Sequence, residues 1–177
     1  LLEAHLEELT LSVSMELGKN IEEARGDIIK VMEVVEMACG APILMQGDAL
    51  MNVSTGHDTV LYREPLGVFA GIVPFNFPAM IPFGWMIPLC ITLGNTFVLK
   101  AASLTPQTAM RVLELLIEAG LPKGVVNLVT CSRNEAELLL KHPDIRGISY
   151  VGSTSVGLHI YSTAAAHGKR VQALCEA

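Results

Sequence analysis

Between Glu64 and Lys100 the chain carries no charged residue. A run of that length is long enough to cross a bilayer as one helix. Its punctuation argues otherwise: Pro65, Pro74, Pro78, Pro82 and Pro88 interrupt it, together with Gly67, Gly71, Gly84 and Gly94. A lipid-exposed helix with so many breaks would leave backbone groups unsatisfied where no water reaches them. The run therefore reads as a buried strand, a loop and a buried helix, and no membrane partner is expected.

The rest of the chain supplies partners for that core. Residues 1–17 have apolar side chains at helical spacing and stop at Gly18. Asn20 is placed to cap a second helix, with Glu23 as its capping-box partner and Ile28, Val31 and Val35 on the inner face. That helix is expected to end before Gly40 and Pro42, followed by a loop or short extended piece over 41–57 and a strand over 59–63. Then the pattern becomes regular. Apolar strands at 68–73, 96–99, 125–129, 147–151 and 170–174 alternate with helices at 79–93, 105–119, 134–141 and 154–165. In the second of these helices Thr105 is the expected cap, Pro106 fills the first turn, and Met110, Leu113, Leu116 and Ile117 are expected to face inward. Strands alternating with helices predict βαβ units and an α/β fold with a Rossmann-like parallel sheet flanked by helices. Fully apolar strands fit a sheet covered on both faces.

Composition narrows the function. A chain of 177 residues, 51% of them hydrophobic, is long enough for a real core. The net charge is −6 and no basic run interleaves with aromatics, so nucleic acid is not an expected partner. Cys39, Cys90, Cys131 and Cys175 are scattered without a CxxC pair, which fits free thiols in a reducing compartment. They read as structural, with Cys39 and Cys90 expected to be buried on helices. No secretory leader pattern is visible, no HExxH or Cys/His cluster suggests a metal, and a cytoplasmic location is expected, or a mitochondrial one in a eukaryote. The chain lacks an initiator Met and starts within a helical pattern, so it is expected to be a piece of a longer protein.

In an open parallel sheet, ligands bind beyond the carboxyl ends of the strands. Those ends carry Pro74-Phe75-Asn76-Phe77-Pro78, Lys100-Ala101-Ala102-Ser103, Thr130-Cys131-Ser132-Arg133, Gly152-Ser153-Thr154 and Cys175-Glu176. Each has a plain reading. Gly152-Ser153-Thr154 is as well explained by a turn and a helix cap as by a pyrophosphate at a helix N-terminus. A lysine ending a strand usually just reaches solvent, and an asparagine among prolines is usually a turn residue. GxGxxG is absent.

Together the motifs resemble a family. Pro74-Phe75-Asn76-Phe77-Pro78, Gly94-Asn95-Thr96 leading to Lys100, Ala119-Gly120-Leu121-Pro122 with Gly124-Val125-Val126-Asn127, and Val151-Gly152-Ser153 follow the order and spacing of aldehyde dehydrogenases. Glu16-Leu17-Gly18-Lys19 resembles the family's E-x-G-K segment. The resemblance covers essentially the whole chain. It implies that residues 1–43 are the helical part of a cofactor-binding domain, 44–64 an extended segment near an oligomerisation region, and 65–177 the dinucleotide-binding core, with the catalytic domain outside the chain. It implies NAD bound by Pro74, Phe75, Lys100, Ser103, Gly152 and Ser153, and Asn76 as donor to the oxyanion of a thiohemiacetal. The nucleophilic cysteine of the family would lie downstream of Ala177 in a G-x-x-C context that none of the four cysteines has, so the 177 residues alone are expected to be inactive. A homodimer or homotetramer is implied, with the 59–63 strand pairing between subunits.

Within the family, Val34-Val35-Glu36 with Ala38-Cys39, Asn76-Phe77-Pro78-Ala79-Met80-Ile81-Pro82, Trp85-Met86, His142-Pro143-Asp144-Ile145 and His167-Gly168-Lys169-Arg170-Val171-Gln172-Ala173 are similar to the acylating methylmalonate-semialdehyde dehydrogenase branch. That implies a small aldehyde as substrate and coenzyme A as acyl acceptor. Leu174 stands where other branches place a general-base glutamate, and a leucine cannot activate water. Glu176 is the alternative base. Ser103 replaces a ribose-binding glutamate, which leaves NADP open beside NAD. Lys30 replaces an arginine that anchors the substrate carboxylate, keeping the charge without the bidentate fork. Residues 78–100 are one longer than in the branch, at Phe83-Gly84, which predicts a local bulge in that helix. The alternatives are a non-acylating aldehyde dehydrogenase and a non-catalytic relative.

Overall fold

The computed structural model describes residues 1–176. Five parallel strands, β3 (Val68–Ile72), β4 (Thr96–Lys100), β5 (Val126–Val129), β6 (Ile145–Gly152) and β7 (Arg170–Cys175), form one sheet in the order β5-β4-β3-β6-β7. Counted from its first strand that order is 3-2-1-4-5, the doubly wound pattern, and it reverses between β3 and β6. The registers align Ile72 with both Lys100 and Tyr150, so β3 and β4 end at one level and β6 runs two residues further, to Gly152.

Helices cover both faces. On one side α1 (Leu6–Leu17), α2 (Ile21–Cys39), α4 (Ile87–Thr92) and α5 (Gln107–Glu118) enclose Leu9, Val13, Ile28, Val31, Phe97 and Leu99. On the other, α6 (Arg133–Lys141) and α7 (Thr154–Ala166) pack Leu140, Ile160 and Ala164 on Ala70, Ile148 and Tyr150. This matches the two-faced burial expected of the apolar strands. Where the sheet meets bulky rings, glycine makes room. A Cβ on Gly147 would stand 2.2 Å from Phe69 Cε1.

The charge-free run divides as its prolines require. After β3 comes a loop, then a π-helix over Met80–Met86, then α4. The bulge expected at Phe83-Gly84 is this π-turn. The Ile87 N–H bonds the Pro82 carbonyl five residues back, the wider spacing of a π-helix. Pro82 and Pro88 donate no N–H, which already breaks the regular ladder. Among the described residues no helix is long and apolar enough to cross a membrane.

Several local expectations are corrected. The first helix begins at Leu6, after a turn, and not at residue 1. Asn20 Oδ1 accepts from the Glu23 N–H at 2.9 Å, but the reciprocal Glu23 bond of a capping box is not formed. The stretch expected to be a loop or short extended piece does hold an extended strand, β1 (Ala49–Ser54), but also a helix, α3 (Ala41–Leu44); β1 pairs antiparallel in an exposed hairpin with β2 (His57–Val60), which replaces the strand expected over 59–63. Met110 and Ile117 face solvent, while Thr108, Ala109, Val112 and Leu115 form the buried stripe of α5. Cys39 is exposed, because Ala38 takes the inward position, and Cys90 is half-buried.

Candidate functional site

The crevice predicted by the strand order opens beyond β3 and β6. Pro74, Phe75 and Asn76 leave the end of β3, Lys100 and Ser103 the end of β4, and Gly152 and Ser153 the end of β6. The sheet brings these six flanking residues and Asn76 to one edge. Lys30 is not on that edge. It projects from the exposed side of α2, paired with Glu33, about 10 Å along the helix from Glu23.

The Asn76 loop is held at consecutive carbonyls. Phe75 O accepts from Thr105 Oγ1 at 3.2 Å, Asn76 O from Lys19 Nζ at 3.3 Å, and Phe77 O from the Ile81 N–H at 3.3 Å. Thr105 is thus buried as a strut under the loop and not the cap of α5. The capping is done by Glu16, whose carboxylate accepts from the N–H groups of Gln107 at 2.6 Å and Thr108 at 3.0 Å. Lys19 follows because Gly18 adopts a left-handed φ of 81° and turns the chain sharply after α1. Its ammonium lies 2.6 Å from Asp27 Oδ2 and 3.6 Å from the Phe77 ring centroid. Burial raises the Asp27 carboxyl above its ordinary value, and the Lys19 hydrogen bond opposes that shift.

Asn76 is the polar anomaly of the site. Its Oδ1 is buried without a hydrogen-bond partner. Among the described residues no group takes the Nδ2 donor either, and the residue lines an open cleft of about 610 Å³ with Leu17, Gly18, Lys19, Asn20 and Glu23. An orphaned buried polar atom costs on the order of 1–3 kcal/mol. That cost falls on Oδ1, an acceptor; the Nδ2 donor is a separate group of the same braced loop, on a residue that lines the cleft. A second, apolar groove of about 590 Å³ runs between Val31, Val35, Ile87, Leu115 and Leu116. It lies by the carboxyl half of α5, toward the opposite edge of the sheet, and offers little polar chemistry.

The β6–α7 junction suits a phosphate. A Cβ on Gly152 would stand 2.2 Å from the Tyr150 hydroxyl, which donates to Ser153 O at 3.1 Å, so only glycine fits there. The exposed Ser153 begins α7 without using its hydroxyl as a cap, leaving it and the first-turn N–H groups for an anion. The Lys100 ammonium makes no ion pair among the described residues, and Ser103 lies exposed in the turn beyond β4. One group opposes an anion: Glu176, at a left-handed φ of 66°, hydrogen-bonds its carboxylate to the Thr154 hydroxyl. Leu174 is exposed on β7. Sequence reasoning missed Glu16, Thr105 and Asp27 as supports of the site; only the resemblance of residues 16–19 pointed that way.

Comparison with known proteins covers the whole chain. The profile of the aldehyde dehydrogenase family matches residues 1–177. Malonate-semialdehyde dehydrogenase 1 of Geobacillus thermodenitrificans is 53% identical over 174 residues, covering 98% of this chain and 36% of that protein. The mitochondrial acylating methylmalonate-semialdehyde dehydrogenase of Arabidopsis thaliana is 48% identical, covering 97% of this chain and 28% of its own length. The chain superposes with a TM-score of 0.96 on a Sinorhizobium meliloti protein complexed with NAD, at 42% identity, covering 99% of this chain and 36% of the other. It superposes equally well, at 44% identity, on the methylmalonate-semialdehyde dehydrogenase of Oceanimonas doudoroffii. The chain thus spans about a third of the length of these relatives, and it belongs to the aldehyde dehydrogenase family.

Proposed function

We propose that the protein carrying this chain oxidises malonate or methylmalonate semialdehyde with NAD and passes the acyl group to coenzyme A. The observation that carries the reading is Asn76, which follows β3 beside the point where the strand order reverses and sits on a braced loop, with a carboxamide whose buried Oδ1 has no partner and whose Nδ2 is engaged by no group among the described residues. In this role Asn76 Nδ2 donates to the carbonyl oxygen as a cysteine thiolate from the remainder of the protein adds to the aldehyde carbon. A donor aimed at developing charge is worth about 10²–10³ in rate. Pro74, Phe75, Lys100, Ser103, Gly152 and Ser153 hold the dinucleotide across the strand ends. NAD supplies the hydride acceptor when bound. Loss of hydride leaves a thioester, and the thiolate of coenzyme A displaces the cysteine, releasing acyl-CoA.

Leu174 supports thiolysis over hydrolysis, because it cannot deprotonate water. The Glu176 carboxylate is occupied by Thr154, which weighs against its use as a substitute base. Lys30 is assigned to the substrate carboxylate on resemblance alone; its pairing with Glu33 must open for that role. The exposed β1–β2 hairpin is the surface proposed to pair in a homodimer or homotetramer.

The test is NADH formation by the full-length protein with each semialdehyde, with and without coenzyme A. Turnover that requires coenzyme A is expected. Turnover without it would establish the hydrolytic alternative and return Glu176 to consideration as base. Absence of turnover with any small aldehyde would favour the non-catalytic relative.

A further inference from the structure

Lys19 has been given a part in holding the Asn76 loop but none in the chemistry, and it lines the cleft beside Asn76. Its side chain is 17% exposed and that of Asp27 10%. Three contacts converge on one ammonium: Asp27 Oδ2 at 2.6 Å, Asn76 O at 3.3 Å and the Phe77 ring face at 3.6 Å. The partners come from α2 and from two adjacent residues of the loop after β3. If Lys19 served only to neutralise Asp27, one contact would suffice. The geometry instead uses Asp27 to aim the ammonium at the Asn76 main chain, while the cation–π contact fixes the next residue. With the main chain of Asn76 and the ring of Phe77 both pinned, the Asn76 side chain has few directions left.

We infer that Lys19 is a positioning residue for oxyanion stabilisation, acting through Asn76: anchored by Asp27, it sets the direction of the Asn76 carboxamide by gripping the Asn76 carbonyl and the Phe77 ring. This rests on the reading of Asn76 given above. Lys19 touches no reacting atom. Its effect is to keep a donor within the narrow tolerance that transition-state contacts demand, where a displacement of about 1 Å costs about 10²-fold in rate.

A kinetic double-mutant cycle on the full-length enzyme tests it, using Lys19→Met, Asn76→Ala and both together. Lys19→Met keeps an unbranched apolar stem over Phe77 but removes the charge and the donors. The expected result is a fall in kcat of about 10- to 100-fold with little change in KM for NAD. Lys19→Arg should recover much of the loss, since its fork can reach Asp27 and Asn76 together. In the Asn76→Ala background, Lys19→Met should change kcat by less than about 2-fold, because the route through the carboxamide is already gone. An equal fall in both backgrounds would overturn the inference, since Lys19 would then act on the fold at large. If Asn76→Ala leaves kcat unchanged, the oxyanion reading itself fails and the inference falls with it. Hydrogen exchange at Ile81, whose N–H bonds the Phe77 carbonyl, gives a check independent of turnover. Lys19→Met should speed exchange there about 10-fold or more and leave α5 unchanged. Unaltered exchange at Ile81 would overturn the inference even in an active enzyme.

Discussion

The carboxylate of Glu16 reaches across 91 residues of sequence to the Gln107 N–H, 2.6 Å away, and closes the first turn of α5. It also takes the Thr108 N–H, so one side chain satisfies two of the four orphan donors of that helix. Glu16→Ala is expected to lower stability by about 1–2 kcal/mol, the usual cost of losing a cap. Glu16→Gln, which keeps one acceptor, should lose less. Urea denaturation with an unchanged slope would record both effects; equal stability of all three proteins would rule out the capping role.

Glycine substitutions should separate sharply by position. Alanine at Gly147 would put a Cβ 2.2 Å from the Phe69 ring, and at Gly71 2.5 Å from Phe97 Cζ. Both rings are packed against the sheet, so each change is expected to cost about 1–3 kcal/mol by overpacking. At Gly84 the nearest atom is Val31 Cα at 3.7 Å, an ordinary contact. Gly84→Ala should be neutral or slightly stabilising. Thermal midpoints ranked in any other order would contradict the packing described.

Much of this architecture could be read from residue order, and the exceptions share a cause. The five sheet strands are legible because Val- and Ile-rich runs lie between Gly and Pro breaks. Thr105 satisfies every local rule for a cap, yet Phe75 claims its hydroxyl and Glu16 supplies the cap from another helix. Met110 and Ile117 keep helical period but fall just outside the stripe that α1 and the sheet cover. The β1–β2 hairpin shows no burial alternation, because both its faces are exposed. At the proposed site, the strand ends marked Asn76, Lys100 and Ser153 as candidates and only the resemblance gave them roles, whereas the brace around Asn76 depends on tertiary contacts that no spacing announces.

The α1–α5 seam should be acid-sensitive. The Arg111 guanidinium, and after it His5, hold the Glu8 carboxyl down from 4.5 to about 2. A depressed folded value means that this pair supports the fold above pH 4.5 and that its contribution is lost as pH falls from there toward about 2. A Glu8 carbonyl resonance titrating near its ordinary value would show that the pair is not formed in solution. Glu8→Gln should flatten stability across the same window.

Burial pushes the Cys90 thiol up to about 12, so it is protonated and unreactive at neutral pH. Iodoacetamide should modify Cys90 only as fast as the protein opens. Mass mapping that finds Cys90 labelled as quickly in native as in urea-unfolded protein would exclude its burial.

Glu176 is expected to weaken the dinucleotide site. It adopts a backbone conformation that favours glycine and brings a carboxylate to the first turn of α7 beside Ser153. Removing a like charge from a helix end is worth about 2- to 5-fold in affinity. Glu176→Gly and Glu176→Gln should both tighten NAD binding measured by calorimetry, with glycine also relieving the backbone. No change in either would separate Glu176 from the cofactor.

The π-turn at Met80–Met86 has a consequence for how such a chain tolerates change in length. An inserted residue in a regular helix rotates everything beyond it by about 100° and would swing either Asn76 or α4 away from its neighbours. A π-turn closes over five residues where a regular turn closes over four, so its width can change by one residue without turning the segments beside it. It works as a slip joint: a one-residue deletion within it is expected to tighten it to an ordinary turn while the braced amide upstream and the strand downstream keep their places.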